Sequence, residues 1–363
     1  MFKMKISIIL GTRPELVKCS PIIRECSRLS LDYFILHTGQ HYSYNMDKVF
    51  FEQLNLPEAK YNLDVGSGSH GQQTGKMLVG VEEVLLKESP DVVLVEGDTN
   101  TVLAGAVAAV KLGIKVGHVE AGLRSYDRNM PEEINRVLAD HCSDYLFAPT
   151  PKSKEILLHE GIEEKKVFLV GNTVVDALYQ NLEIAKSKSQ IFNTLGVESG
   201  QYMLATAHRQ ENVDDKKKFA GLIRGLQIVQ SEFKIPLIYP IHPRAKKQLD
   251  EFGIDHTGIT LVEPLDYLAF LQLESKAKLV LTDSGGVQEE TCILGVPCVT
   301  LRDNTERPET LEVGSNILAG TNSDKILEAA RISCAHKKSW VNPFGDGTTG
   351  KKIVNILESA LAK

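Results

Sequence analysis

An α/β fold of two Rossmann-like domains is predicted by three observations. Short β-branched apolar runs such as Val92-Val-Leu-Val95 recur along the chain and alternate with segments long enough for crossover helices. Several runs end at an acid or a histidine, where the ligand crevice of an open parallel sheet lies. At 363 residues the chain exceeds one ordinary core, so length favours two domains of about 150 to 200 residues each. The expected division is 1–172, 173–345 and a terminal helix in 346–363 that crosses back to the first domain, with the two domains facing a central cleft.

Residues 5–10 read as the first strand and 14–30 as a helix, Pro14 suiting its first turn. A second strand is expected over 33–37, then helices over 45–54 and 70–88, the latter capped by Ser69 and closed near Pro90. The run at 92–95 stops at Gly97-Asp98, and alanine-rich 99–112 makes a buried crossover helix that Gly113 ends. The strand 115–119 runs out at Glu120-Ala-Gly122, so Asp98 and Glu120 both point into the crevice, and two acids there suggest acid/base work. Helix 131–143, strand 145–147, helix 151–160 and strand 167–170 complete the first half. Helices within 173–196 and the break Gly196-Val-Glu-Ser-Gly200 lead to strands at 202–206, 236–240, 259–262, 279–282, 298–301 and 316–318. The pattern strand, acid, helix, Leu-Gly, strand occurs at 93–116 and again at 279–299, which fits a repeated crossover unit. Helix 350–361 is long enough to reach back to the first domain.

A hydrophobic fraction of 42% and a charged fraction of 24% are those of a soluble globular protein, and a net charge of −6 gives no support to a nucleic-acid binder. Arg13 and Glu15 follow the first apolar run at once, so no signal peptide is expected. The longest uncharged apolar stretch, within 99–110, falls short of the roughly 20 residues a bilayer requires, so no membrane association is expected. The six cysteines contain no Cys-x-x-Cys pair and read as reduced core residues of a cytoplasmic protein. No metal is expected, because His37 and His41 lack a second ligand pair at finger-like spacing.

Gly11-Thr-Arg-Pro-Glu-Leu-Val-Lys18 follows the first strand but is neither Gly-x-Gly-x-x-Gly nor a Walker loop, which argues against NAD and against a P-loop phosphate. Arg13 and Lys18 could hold an anion at the helix start, and ordinary surface charge is the competing reading. Asp283-Ser-Gly-Gly-Val-Gln-Glu-Glu290 is the strongest local signal. Ser284, Gly285 and Gly286 open a helix whose N–H groups and dipole suit a phosphate, and Glu290 is placed to accept from ribose hydroxyls. A glycine-rich turn without chemistry is the bland account of the same residues. Acids in the turn Pro131-Glu-Glu133 are favoured by the helix dipole without any function. His208 and His242 each follow a strand end and are better ligand candidates than core histidines.

Taken together, the motifs resemble the non-hydrolysing UDP-N-acetylglucosamine 2-epimerases along the whole chain. The resemblance rests on Gly11-Thr-Arg-Pro-Glu15 with Lys18, Gly39-Gln-His41, Gly97-Asp-Thr99, His118-Val-Glu-Ala-Gly-Leu-Arg124 and Pro131-Glu-Glu133 with Asn135-Arg136. It continues through His208-Arg209 with Glu211-Asn212, Asp283-Ser-Gly-Gly286 with Gln288-Glu-Glu290, Thr305-Glu-Arg-Pro-Glu309 and Gly345-Asp-Gly347. It implies a glycosyltransferase-B-like fold, a homodimer, and no cofactor. The implied reaction converts UDP-N-acetylglucosamine to UDP-N-acetylmannosamine reversibly, by anti elimination of UDP to 2-acetamidoglucal and re-addition. Its product would supply N-acetylmannosamine-derived sugars for surface polysaccharide or glycan synthesis. By analogy Asp98, Glu120 and Glu132 are the acidic catalytic set, and His208, Arg13 and Lys18 hold the departing pyrophosphate. Ser284, Gly285, Gly286 and Glu290 bind diphosphate and ribose, so the second domain is the UDP-binding one, with Phe270 near the uracil and Arg307 nearby.

Two departures stand out. The loop 125–130 is shorter than in many bacterial members, and only part of the family's activating UDP-N-acetylglucosamine site is recognisable. Gln40, His41, Arg209 and His242 match it, while Ser43 stands where a glutamine is common. Competing functions are a hydrolysing epimerase that releases N-acetylmannosamine and UDP, a retaining glycosyltransferase, and a catalytically silent nucleotide-sugar sensor.

Overall fold

The structure, a computed structural model, describes residues 4–40, 44–335 and 339–361. It divides into two compact units, Met1–Gln180 with Phe344–Lys363, and Asn181–Pro343. The division falls inside the helix Thr173–Lys188, where the expected one stood at 172.

The described strands of the first unit are β1 (Lys5–Leu10), β2 (Asp32–His37), β3 (Tyr61–Asn62), β4 (Val92–Glu96), β5 (Lys115–Val119), β6 (Tyr145–Ala148) and β7 (Val167–Leu169). They form a parallel sheet in the order β3-β2-β1-β4-β5-β6-β7, so the connection reverses direction between β1 and β4. Every residue of β4 is buried, as its valine run predicts. Ile9, Val93 and Val95 pack with Val102, Ala106 and Ala109 of the helix Asn100–Lys111, and each such Val or Ile contributes about 1.5–3 kcal/mol. That helix lies close to the sheet because Gly105 leaves room: a Cβ there would sit 2.9 Å from Val95 Cγ1. Sequence periodicity does not reveal β3, whose two residues are too short to show an alternation.

The unit is completed by the helix Thr349–Leu361, which buries Ile353, Val354 and Leu357. Gly350 N donates to Asp176 Oδ1 at 2.9 Å, and Asn172 N donates to the Phe344 carbonyl at 2.7 Å. These bonds fix the returning segment beside the helix Arg13–Arg28, with Gly350 against Pro21.

The second unit contains β8 (Met203–Thr206), β9 (Leu237–Pro240), β10 (Thr260–Val262), β11 (Leu279–Thr282), β12 (Cys298–Thr300) and β13 (Asn316–Leu318). Their parallel order, β10-β9-β8-β11-β12-β13, repeats that of the first sheet and reverses between β8 and β11. Both units are therefore Rossmann-like, and the repeat seen in sequence has a structural counterpart. Gly113 and Gly295 follow equivalent crossover helices, and both take the left-handed conformation that ends them. One face of the second sheet packs Met203, Leu279 and Leu281 against Phe219, Leu222 and Ile223.

All six cysteines are unpaired, and Cys19, Cys26, Cys292 and Cys298 are buried, where burial pushes the Cys26 thiol up to about 12. No described helix is long and apolar enough to cross a membrane.

Candidate active site

In the first unit the two switch-point loops lie at the carboxyl ends of β1 and β4. After β1, Thr12 caps the helix Arg13–Arg28 in a capping box with Glu15. Glu15 accepts from Gly11 N at 2.6 Å and Thr12 N at 2.8 Å, and also from the Thr99 hydroxyl. It thereby ties the loop after β1 to the start of the next crossover helix. Burial pushes its carboxyl above the ordinary value, while these hydrogen bonds pull it down. Arg13 is half-buried, its guanidinium 5.7 Å from the Phe50 ring centroid.

Lys18, just over one turn into the same helix, reaches two acids. Its Nζ lies 2.5 Å from Glu120 Oε2 and 3.1 Å from Glu96 Oε1. Glu120 takes a backbone φ of +67°, in the left-handed region that a non-glycine residue adopts only when held. Its other oxygen accepts from Asn172 Nδ2 at 3.1 Å. Asp98, after β4, is about one-third exposed and pairs with Arg136 of the helix Pro131–Cys142. Asn135 donates to the Asp98 carbonyl at 2.9 Å.

A buried ionic network sets the two turns that carry these acids. His118 donates from Nδ1 to Asp140 at 2.7 Å and from Nε2 to the Gly97 carbonyl at 2.8 Å. Both ring nitrogens face acceptors, an arrangement that favours the imidazolium. Burial opposes that charge, yet Asp140 and the Gly97 carbonyl hold its pKa above the ordinary value. Asp140 also pairs with Arg124 at 2.7 Å and accepts from Gly122 N at 3.2 Å. Glu133 is buried and ties Ser125 N, Tyr126 N and Arg136, whereas neighbouring Glu132 is exposed. Of the two first-turn acids, Glu133 is thus engaged in the loop and Glu132 is left to face outward.

In the second unit Asp283 is fully buried at the end of β11 and organises the loop after β8. It accepts from Arg209 N at 3.0 Å, His208 N at 3.0 Å and Asn212 Nδ2 at 3.2 Å, with His208 Nδ1 at 3.3 Å. Burial pushes its carboxyl up, and the His208 and Arg209 contacts more than offset this, leaving it below the ordinary value. The His208 side chain is nearly half exposed, its ring centroid 6.2 Å from that of His242. His242 itself caps the helix Pro243–Phe252, accepting from Arg244 N at 3.2 Å.

Ser284 caps the helix Gly285–Leu294, and Gly286 at its start is exposed. Gly285 has a close neighbour: a Cβ there would lie 2.1 Å from Glu306 Oε1, so the Glu306 carboxylate would have to shift. Glu306 is held by Arg209 at 3.0 Å and Arg302 at 2.7 Å, so an acid already rests against the positive end of this helix. Arg307 pairs with Glu289 at 3.0 Å, and Phe270 is half-buried in the apolar cluster around Tyr202 and Leu204. Glu290 is half-buried beside fully buried Glu274, whose carboxyl is pushed far up by burial first and by Glu290 next.

The structure thus brings Lys18 to Glu120, His208 to Asp283, and Arg209 to the loop beside Gly285. Gln40 is buried, its side-chain oxygen accepting from Thr101 Oγ1 at 2.8 Å, and His41 and Ser43 lie outside the described residues. No cluster of three metal-ligating side chains occurs among the described residues.

The family described as UDP-N-acetylglucosamine 2-epimerase matches residues 24–358. A UDP-N-acetylglucosamine 2-epimerase of Methanocaldococcus jannaschii is 59% identical over 362 residues, covering 98% of this chain and 99% of that protein. The chain belongs to the UDP-N-acetylglucosamine 2-epimerase family. A solved structure of the Methanocaldococcus jannaschii enzyme matches with a TM-score of 0.91 at 57% identity, over 98% of this chain and 100% of that one. A second, in complex with UDP-GlcNAc and UDP, matches with a TM-score of 0.85 at 58% identity and the same coverage. The likeness extends to a UDP-2,3-diacetamido-2,3-dideoxy-D-glucuronate 2-epimerase of Pseudomonas aeruginosa, 43% identical over 98% of this chain and 99% of that protein. The expected fold class, two Rossmann-like domains of the glycosyltransferase-B-like kind, is that of this family.

Against this family background, sequence reasoning missed Glu96, Glu306, and the pairing of His118 with Asp140. One signal was available for Glu96: an acid closing an otherwise apolar, fully buried strand is rarely left unpaired.

Proposed function

We propose that this protein interconverts UDP-N-acetylglucosamine and UDP-N-acetylmannosamine at C2, eliminating UDP to 2-acetamidoglucal and adding it back, with no cofactor. The observation that carries this reading is the pair of acids after adjacent strands β4 and β5, Asp98 and Glu120, each set against a different cation. The Methanocaldococcus jannaschii structure with UDP-GlcNAc and UDP supports the choice of ligand.

The C2 hydrogen has no neighbouring carbonyl to acidify it, so the C1–O bond must break early and charge must build on the ring. A carboxylate then takes the C2 proton, the C–H electron pair becomes the C1–C2 double bond, and the C1–O pair leaves with UDP. In the return step a UDP oxygen attacks C1, and a carboxyl on the other face of C2 gives it a proton. Two faces require two groups, and Asp98, Glu120 and Glu132 are the set we assign to them. Arg13 and His208 would offset the growing charge of the leaving pyrophosphate. Ser284, Gly285, Gly286, Glu290, Phe270 and Arg307 would hold UDP. A cytoplasmic homodimer activated by UDP-N-acetylglucosamine through Gln40, His41, Arg209 and His242 completes the proposal.

Proton NMR of the protein with UDP-N-acetylglucosamine in deuterated water tests the reaction. UDP-N-acetylmannosamine carrying deuterium at C2 is the expected product. Free N-acetylmannosamine with UDP would replace this reading by the hydrolysing one, and an unchanged spectrum would leave a sensor.

A further inference from the structure

Lys18 is assigned to the pyrophosphate by resemblance, yet its ammonium lies between two carboxylates. Glu96 is the less expected of them. It is the last residue of β4, its side chain is almost wholly buried, and it lies 3.1 Å from Lys18 Nζ. Glu120 lies 2.5 Å from the same nitrogen on the other side and is itself buried, with Asn172 on its second oxygen. One cation therefore serves two acids that close neighbouring strands.

We propose that Glu96 is a positioning residue for proton transfer at C2, taking a share of the Lys18 ammonium so that Glu120 is held in place without being fully neutralised. This role rests on the reaction proposed above. In that reaction Glu120 is one of the acids we assign to exchanging a proton with C2, and a carboxylate wholly paired with an ammonium is a weak base. Sharing the cation corrects this. The pair Glu96 and Glu120 loses its second proton at a higher pH than a lone acid beside Lys18 would, because the second ionisation sets two negative charges against one positive.

Lys18, Glu15 and Cys19 face Glu96 from the helix Arg13–Arg28, and Glu120 from the turn after β5, with His118 near Glu120. Burial pushes the Glu96 carboxyl well above its ordinary value, Lys18 pulls it down, and Glu120 and Glu15 push it further up, so Glu96 competes for Lys18 only in the state where it has lost its proton.

The test is steady-state epimerisation of UDP-N-acetylglucosamine by the full chain across pH. Glu96→Gln keeps an oxygen for Lys18 but removes the charge. It is expected to lower kcat by about tenfold or more, leave KM within about twofold, and move the acid limb of kcat/KM to lower pH. Glu96→Asp, which keeps the charge but draws it back from Lys18, should lie between the two. In a Lys18→Met background, Glu96→Gln should cost less than about twofold more, since the mediator is gone. A wild-type pH profile from Glu96→Gln overturns the proposal, as does a raised KM with kcat unchanged, or a full additional loss in the Lys18→Met background. Where circular dichroism shows that Glu96→Gln does not fold, a wild-type profile from Glu96→Asp overturns it equally. An inactive parent chain sinks the reaction and this role together, whereas an active parent with indifferent variants sinks this role alone.

Discussion

Asp98 and Glu120 end neighbouring strands in different electrostatic company. Asp98 is partly exposed beside Arg136, and Glu120 is buried between Lys18 and Asn172 in a left-handed backbone conformation. Two acids in such different surroundings suit the two separate roles that the proposed reaction gives them. Asp98→Asn is expected to bind UDP-N-acetylglucosamine by calorimetry within a few-fold of the parent but to lose about 10²–10⁴ in kcat. Full turnover by that variant would remove Asp98 from the catalytic set. Arg13→Ala should weaken binding and rate together, read as a rise in KM with a fall in kcat. At this scale the sequence reveals the acids that follow strands, because a strand's end is legible from its apolar run. It hides which cation each acid meets: Lys18 lies 102 residues from Glu120 in the chain, and only the fold brings them together.

Helix starts organise the next scale. The helix Gly285–Leu294 begins against Glu306, and a Cβ at Gly285 would meet this acid. Gly285→Ala should push Glu306 aside and disturb the surface we assign to the diphosphate. We expect UDP binding to weaken by about tenfold, roughly the 1.4 kcal/mol of one lost hydrogen bond, with the fold intact by circular dichroism. Unchanged UDP affinity would separate this helix start from the ligand. The glycines here are visible in sequence as a strand-to-helix turn, but Glu306 is not, since it arrives from a loop 21 residues on. The helix Pro131–Cys142 works differently, returning Asp140 to the turns at Gly97 and Gly122 through His118 and Arg124. Asp140→Asn leaves two buried cations short of a carboxylate and should cost about 3–5 kcal/mol, seen as a large fall in melting temperature. A loss below about 1 kcal/mol would mean that the network is not structural.

For the molecule as a whole, stability should fall at both ends of the pH range. Asp140 and Asp283 are held below their ordinary value of 3.8, so their contribution is present above it and lost as pH falls through their native values. His118 is held above 6.5, so its contribution is present below that value and lost as pH rises through its native one. Glu274 is held above 4.5, so the native state keeps a proton that the unfolded chain releases, and stability declines as pH rises beyond 4.5. Glu274→Gln should therefore raise the melting temperature at pH 8 and leave it nearly unchanged at pH 4 by calorimetry. An equal shift at both would rule out the buried acid as the cause. The first unit, finally, is closed by a segment that returns to it from far along the chain. The Phe344 carbonyl receives Asn172 N, and Asn172 in turn holds Glu120. The seat of this carboxylate thus depends on a segment outside the sheet that carries it. A change that loosens the returning segment should therefore be felt at Glu120, through a single asparagine.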